Sequence, residues 1–210
     1  IIWIADESPR ISRSKRRYIM ATTSSKQNSE QRGKESQSKK SMWGGRFKQE
    51  LDDDAKQLSY SFSFDNRLFW YDIQTNKAYV NALLKSGVLT NEEAKTLRES
   101  LQGLIDNISE LSFDYNSYED VHSFVEALVV EQCGDLGKKM HTGKSRNDQV
   151  MTDIRLFLKD EIMDILSELE ALLKEIFGLA DKYKKLVFPG MTHFQPAQPI
   201  LLGHHFLAYL

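Results

Sequence analysis

Between Asn147 and about Leu186, the apolar positions Ile154, Leu158, Ile162, Ile165, Leu169, Leu172, Ile176, Leu179, Tyr183 and Leu186 follow one another at intervals of three or four residues. That spacing keeps one apolar stripe along an α-helix, close to a heptad seam. About forty residues rising ~1.5 Å each make a rod of about 60 Å. A rod this long needs partners, so the seam predicts a helical bundle completed by other chains. Upstream, residues 65–86 repeat apolar groups at helical spacing and stop at Gly87, a residue suited to the position just past a helix end. Thr90 and Glu93 then form a capping-box pattern for a second helix, reaching about Leu111. A third helix is predicted from about Glu119 to Gln132, ending at Gly134.

Proline usage supports the same class. After Pro9 the next proline is Pro189, and Leu, Glu, Lys, Ala and Asp dominate from Met42 onward. Strand-like alternation with hairpin turn pairs is absent. The expected fold is all-α, with an N-terminal helical domain over 42–146 and the beginning of a long-helix central bundle over 147–210. After Pro189-Gly190 the helix is expected to resume near Pro199. Leu210 falls inside the apolar helical pattern PILLGHHFLAYL, which would leave a sticky face open. The chain is therefore expected to be the front part of a longer protein.

The charge balance divides the chain. Ten Lys/Arg against Asp6, Glu7, Glu30 and Glu35 make residues 1–41 +6 and leave −8 for the remainder, a net of −2 over 210 residues. Ala21 to Ser41 holds almost nothing apolar, too little to offset the cost of ordering a backbone, so 1–41 is expected to be a disordered basic extension. An organelle-targeting segment is the alternative, although the chain begins at Ile1 and Met20 offers a start of its own. The near-neutral whole gives no reason to expect nucleic acid, and no apolar run approaches the roughly 18–20 residues of a membrane span. Cys133 is the single cysteine, and no Cys/His group has metal-ligand spacing. A cytoplasmic, reducing location is expected, with no metal.

Two polar segments interrupt the helices. His141-Thr142-Gly143-Lys144-Ser145-Arg146-Asn147-Asp148-Gln149-Val150 leads into the long helix, where free amides and the positive end of the helix dipole suit an anion. Ser145 to Asp148 could equally do no more than cap that helix. In Gly190-Met191-Thr192-His193-Phe194-Gln195-Pro196-Ala197-Gln198-Pro199 the prolines bar a regular helix and hold Thr192 and His193 on a rigid turn. A histidine beside hydroxyl and amide groups suits proton transfer near neutral pH. His204 and His205, adjacent on a helix, point to different faces and make no metal pair. Glu119-Asp120-Val121-His122 marks a helix start, with Asp120 either an N-cap or a site residue. Leu58-Ser59-Tyr60-Ser61-Phe62-Ser63-Phe64-Asp65 reads by itself only as a helix end.

Taken in order, Met42-Trp43-Gly44-Gly45-Arg46-Phe47, Glu119-Asp120-Val121-His122, the HTGKSRNDQV stretch and GMTHFQPAQPI resemble the N-terminal half of the argininosuccinate lyase/delta-crystallin branch of the fumarase/aspartase superfamily. The resemblance covers about residues 42–210. It implies an all-α subunit, a homotetramer whose active sites are shared between subunits, and reversible β-elimination of argininosuccinate to arginine and fumarate with no metal or organic cofactor. By motif position it implies that Ser61, Asn147 and Thr192 bind substrate and that His193 takes part in acid/base catalysis, with Asp120, His122 and Arg146 supporting the pocket. Lys144 stands where such relatives usually carry Arg. The family's mobile Gly-Ser-Ser loop has no counterpart in these 210 residues, so the chain by itself is expected to be inactive. Another superfamily lyase such as an adenylosuccinate lyase, or a non-catalytic crystallin-like structural protein, is the alternative.

Overall fold

The computed structural model describes residues 52–111, 113 and 117–210. The expected disordered extension 1–41 and the Met42–Phe47 motif lie outside them. The chain divides into two compact units, one up to Phe157 and one from Leu158 to Leu210.

The first unit is helical. Helix α1 spans Asp53–Ser59 and α2 spans Phe62–Asp65; a 3₁₀ turn at Asn66–Leu68 then leads into α3, Phe69–Lys85. The stretch expected as one helix from residue 65 thus begins with a tighter turn before settling into α3. Gly87 follows with φ +78°, the left-handed conformation anticipated past the helix end. Helix α4 spans Asn91–Asp106. Its capping box is complete, with Thr90 Oγ1 accepting from the Glu93 amide at 3.2 Å and Glu93 Oε2 accepting from the Thr90 amide at 2.9 Å. The helix ends at Asp106, short of Leu111, and a 3₁₀ turn at Ile108–Glu110 finishes the segment.

Helix α5, Val121–Cys133, starts behind Asp120, whose carboxylate accepts from the Ser123 amide at 2.6 Å. Gly134 ends it at φ +61°. The sequence pattern gave no sign of α6, Asp135–Lys139. This short helix can lie against α5 because Gly137 is bare: a Cβ there would sit 2.8 Å from Val130 Cα. Ile73, Val80, Leu97, Leu101, Val121, Val125 and Val129 are sealed where α3, α4 and α5 meet. Phe62, Phe69, Phe113, Tyr118 and Phe124 close one end, with ring centroids 5.0–6.2 Å apart. Such tilted and edge-on pairs add to the stabilisation from burial.

The long helix α7 spans Arg146–Lys182. Its 37 residues correspond to about 55 Å, and it agrees with the expected rod except that it stops four residues early. Beyond Phe157 the predicted seam is open: Leu158, Ile162, Ile165, Leu169 and Leu172 are between 48% and 57% exposed.

The second unit corrects one expectation. In place of a turn followed by a helix from Pro199, strands β1 (Val187–Thr192) and β2 (Gln195–Leu201) form an antiparallel hairpin, and α8 begins only at Leu202. Pro189 pairs with Pro199. A two-stranded ribbon has both outer edges free, so these prolines need not cost ladder hydrogen bonds. The two-residue loop is His193-Phe194, at φ 49° and 61°. Positive φ at both positions is what a type I′ turn requires, yet the sequence lacks the usual Asn-Gly signal, so the pattern concealed the hairpin. Helix α8, Leu202–Leu207, returns along the end of α7, with the Gly203 amide donating to Tyr183 O at 3.2 Å. The fold remains all-α apart from this hairpin. Among the described residues, no helix is long and apolar enough to cross a membrane.

Candidate active site

A buried polar cluster lies at the centre of the first unit. His122 donates from Nδ1 to Asp72 Oδ1 at 2.9 Å, and Asp153 Oδ2 lies 3.3 Å from the same nitrogen. All three side chains are almost wholly removed from solvent. Unpaired charges would be costly here, and the surrounding donors explain why the cluster survives. Asn76 donates to Asp72 Oδ2 at 2.9 Å, Gln149 donates to Asp72 Oδ1, and Thr75 donates to Asp153 Oδ1. Asp153 Oδ2 has no hydrogen bond of its own, so its contact with His122 is one of charge.

The electrostatics follow from this geometry. Burial works against a charged imidazole, but Asp153 and Asp72 against the ring outweigh it and push His122 up to about 10. Burial, together with the neighbouring Asp72 charge, pushes Asp153 up to about 7 against the opposing pull of His122 and Thr75. Asp72 is also opposed by burial, yet its hydrogen bonds from His122 and Gln149 hold it below the usual carboxylate range. The cluster holds the His122 ring against the Asp72 carboxylate and against Asp153, whose carboxyl group keeps its proton more readily than an exposed aspartate. The same three residues bring potential metal-ligand atoms within 4.8 Å of one another. A cation would have to displace the His122 proton and compete with the donors already on the carboxylates.

Polar contacts lead from the cluster to the loop before α7. Gln149 accepts from Arg146 Nη1 at 3.1 Å while donating to Asp72, so one amide joins the helix start to the buried histidine. Arg146 also faces Glu126 at 3.4 Å and Asp120 at 3.8 Å. Ser145 and Asp148 do cap α7: the Asn147 amide donates to Ser145 Oγ and the Ser145 amide to Asp148 Oδ2, each at 3.2 Å. Two amides that an anion could have used are therefore taken by side chains. Asn147 itself is exposed.

Ser61 precedes α2, where its hydroxyl donates to Asp65 Oδ2 at 2.5 Å. Its amide donates to Glu119 O at 2.8 Å, and Asp65 Oδ1 accepts from the Val121 amide at 3.1 Å. These bonds tie Ser61 to the start of α5, beside Asp120 and His122. The first unit thus links Ser61, Asp120, His122 and Arg146 through a short set of hydrogen bonds and charge contacts, with Asn147 next in the chain. Thr192 and His193 belong to the second unit, Thr192 paired with Gln195 at the end of the hairpin and His193 on its exposed turn. His205 rests between Phe188 and Tyr209, a packing role.

Gln149 lies in the polar segment singled out before α7, but the motifs give no pointer to Asp72, Thr75, Asn76 and Asp153. One signal was present: the buried stripe Phe69, Ile73, Asn76, Val80, Leu83 of α3 is apolar except at Asn76, with Asp72 beside it. A polar residue in the middle of an apolar stripe demands a buried partner.

The sequence profile of the lyase family matches residues 45–210. Argininosuccinate lyases from Thermoanaerobacter sp. (strain X514) and from Caldanaerobacter subterraneus subsp. tengcongensis are each 47% identical to it, over 171 and 169 residues, covering 80% of this chain and 38% of theirs. The chain therefore spans well under half the length of these curated relatives. Among solved structures, an EDDS lyase variant with bound fumarate superposes with a TM-score of 0.59 at 30% identity, over 68% of this chain and 28% of that one. With both polar segments and nearly all of its helices inside the matched region, the chain belongs to the lyase family, as an argininosuccinate lyase-like member of the fumarase/aspartase superfamily.

Proposed function

We propose that the full-length protein is an argininosuccinate lyase that reversibly converts argininosuccinate to arginine and fumarate in the cytoplasm. The observation that carries this reading is the 47% identity to argininosuccinate lyases over 80% of the chain. The reaction removes a proton from a carbon beside a carboxylate, breaks the bond to the guanidino nitrogen and returns a proton to that nitrogen. It needs a proton-transfer pair and donors for the dianion between the two steps. His193 is assigned one proton transfer, and Ser61, Asn147 and Thr192 are assigned to substrate. The open seam of α7 supports assembly with further copies, read here as a homotetramer with shared sites. No metal or organic cofactor is assigned.

The test is fumarate release by the full-length protein offered argininosuccinate, adenylosuccinate and EDDS in parallel. Turnover of argininosuccinate alone is expected, and a His193→Asn variant that stays folded should lose at least about a hundredfold in rate. Preference for either other substrate would overturn the assignment.

A further inference from the structure

The loop in front of α7 is held from below by two side chains of α3 that stand one turn apart. Tyr79 Oη donates to Thr142 O at 2.7 Å. Two residues later the Lys144 ammonium turns inward, donates to Asn76 Oδ1 and lies 5.2 Å from the centroid of the Tyr79 ring. Asn76 is itself oriented, because its amide nitrogen donates to Asp72 Oδ2 at 2.9 Å. Between the two attachment points Gly143 has φ +75°, a conformation that lets the chain reverse. Lys144 is partly buried, and the cost of desolvating its ammonium lowers its proton affinity. An ammonium with these partners is no longer directed at solvent, unlike the adjacent exposed Ser145 and Asn147.

We propose that Tyr79 and Asn76 are positioning residues that clamp Thr142 and Lys144, and that through this clamp they set the conformation of Ser145–Asn147 at the start of α7 for a carboxylate-bearing substrate. Lys144 serves the clamp and does not itself contact the substrate. The substrate part rests on the lyase reading above; the clamp stands on the contacts alone.

Two measurements on the full-length protein separate these parts. The first is amide hydrogen exchange over residues 142–148 without substrate. Tyr79→Phe keeps the ring and removes only the donor; Lys144→Met keeps the stem and removes the charge. Each should speed exchange of this segment about fivefold or more and leave the core of α3–α5 unchanged. Lys144→Arg, which can still donate to Asn76 and stack on Tyr79, should keep exchange slow. Unchanged exchange in both Tyr79→Phe and Lys144→Met overturns the clamp. The second is steady-state kinetics with argininosuccinate, where Tyr79→Phe should raise KM about fivefold and change kcat less than twofold. Faster exchange with unaltered KM would make the contact purely structural and overturn the positioning role. Faster exchange in a protein whose wild type does not turn over argininosuccinate would support the clamp and remove the assigned reaction.

Discussion

Asp72 accepts the Nδ1 proton of His122 at 2.9 Å with both side chains sealed from solvent, so a polar, ionisable cluster sits among the buried apolar residues Phe69, Ile73 and Val80 of α3. The pair connects α3 to α5, and Asp153 adds the first turns of α7. Removing one member leaves a buried charge without its partner, which costs more than a lost surface contact.

His122→Asn in the full-length protein should therefore cost about 3 kcal/mol of stability, read from chemical denaturation. The wild type should also lose stability in alkali. His122 is held at about 10 when folded against 6.5 in an open chain, so its contribution is full below pH 6.5 and disappears as pH rises through about 10. Asp153, raised to about 7 from 3.8, acts in the same direction at lower pH: the folded protein holds its proton more tightly, and that advantage fades as pH climbs from 3.8 through about 7. A melting temperature independent of pH from 7 to 10, or an unchanged alkaline slope in His122→Asn, would contradict the ionic account.

Gly203 should not tolerate even a methyl group. A Cβ there would lie 2.6 Å from both Ala180 O and Lys184 Cα, which are backbone atoms with no rotamer to yield. Gly203→Ala is expected to cost about 1–3 kcal/mol, measured as a lowered denaturation midpoint. Gly178→Ala is the control: its Cβ meets nothing within 4 Å, and in a helix it should stabilise slightly.

Phe194 occupies a left-handed position while its side chain is fully exposed. Phe194→Gly should relieve about 1 kcal/mol of backbone cost and preserve the hairpin, whereas Phe194→Val should destabilise it by a similar amount or more. Thermal unfolding of the two variants side by side decides. Equal stability would mean that the turn is not strained by its side chains.

Thr90→Ala should cost about 1 kcal/mol through loss of the bond to the Glu93 amide. The reciprocal bond from the Thr90 amide to Glu93 Oε2 would remain, and Thr90→Ser, which restores a hydroxyl acceptor for the Glu93 amide, should recover most of the loss. Equal denaturation midpoints for wild type and Thr90→Ala would remove the cap from the account of α4.

Local signals predicted local structure well. The Thr90 capping box, the Gly87 and Gly134 helix ends and the 3–4 periodicity of α7 are each determined within a few residues, and each appears in the structure near its expected place. The hairpin failed the same method because its turn uses His193 and Phe194 where short-range preference asks for Asn-Gly. Tertiary context, not propensity, sets those angles. The buried cluster failed for another reason: Asp72, His122 and Asp153 lie fifty residues and thirty-one residues apart in sequence, and nothing local announces that they meet. The motifs led to Asp120, His122, Arg146 and Gln149 but not to Asp72, Asn76 and Asp153 beneath them.

The open seam of α7 has a consequence for how the protein comes into being. The described helices up to Phe157 enclose their own aliphatic and aromatic interior, so they can close while later codons are still being read. The stripe from Leu158 onward is exposed in this chain, and in the proposed assembly it is buried only when further copies meet it. In that assembly maturation would have a first-order stage followed by a second-order one, and the second would be set by how much protein the cell makes. At low expression the stripe would then stay exposed longest, and chaperone occupancy would be greatest per molecule.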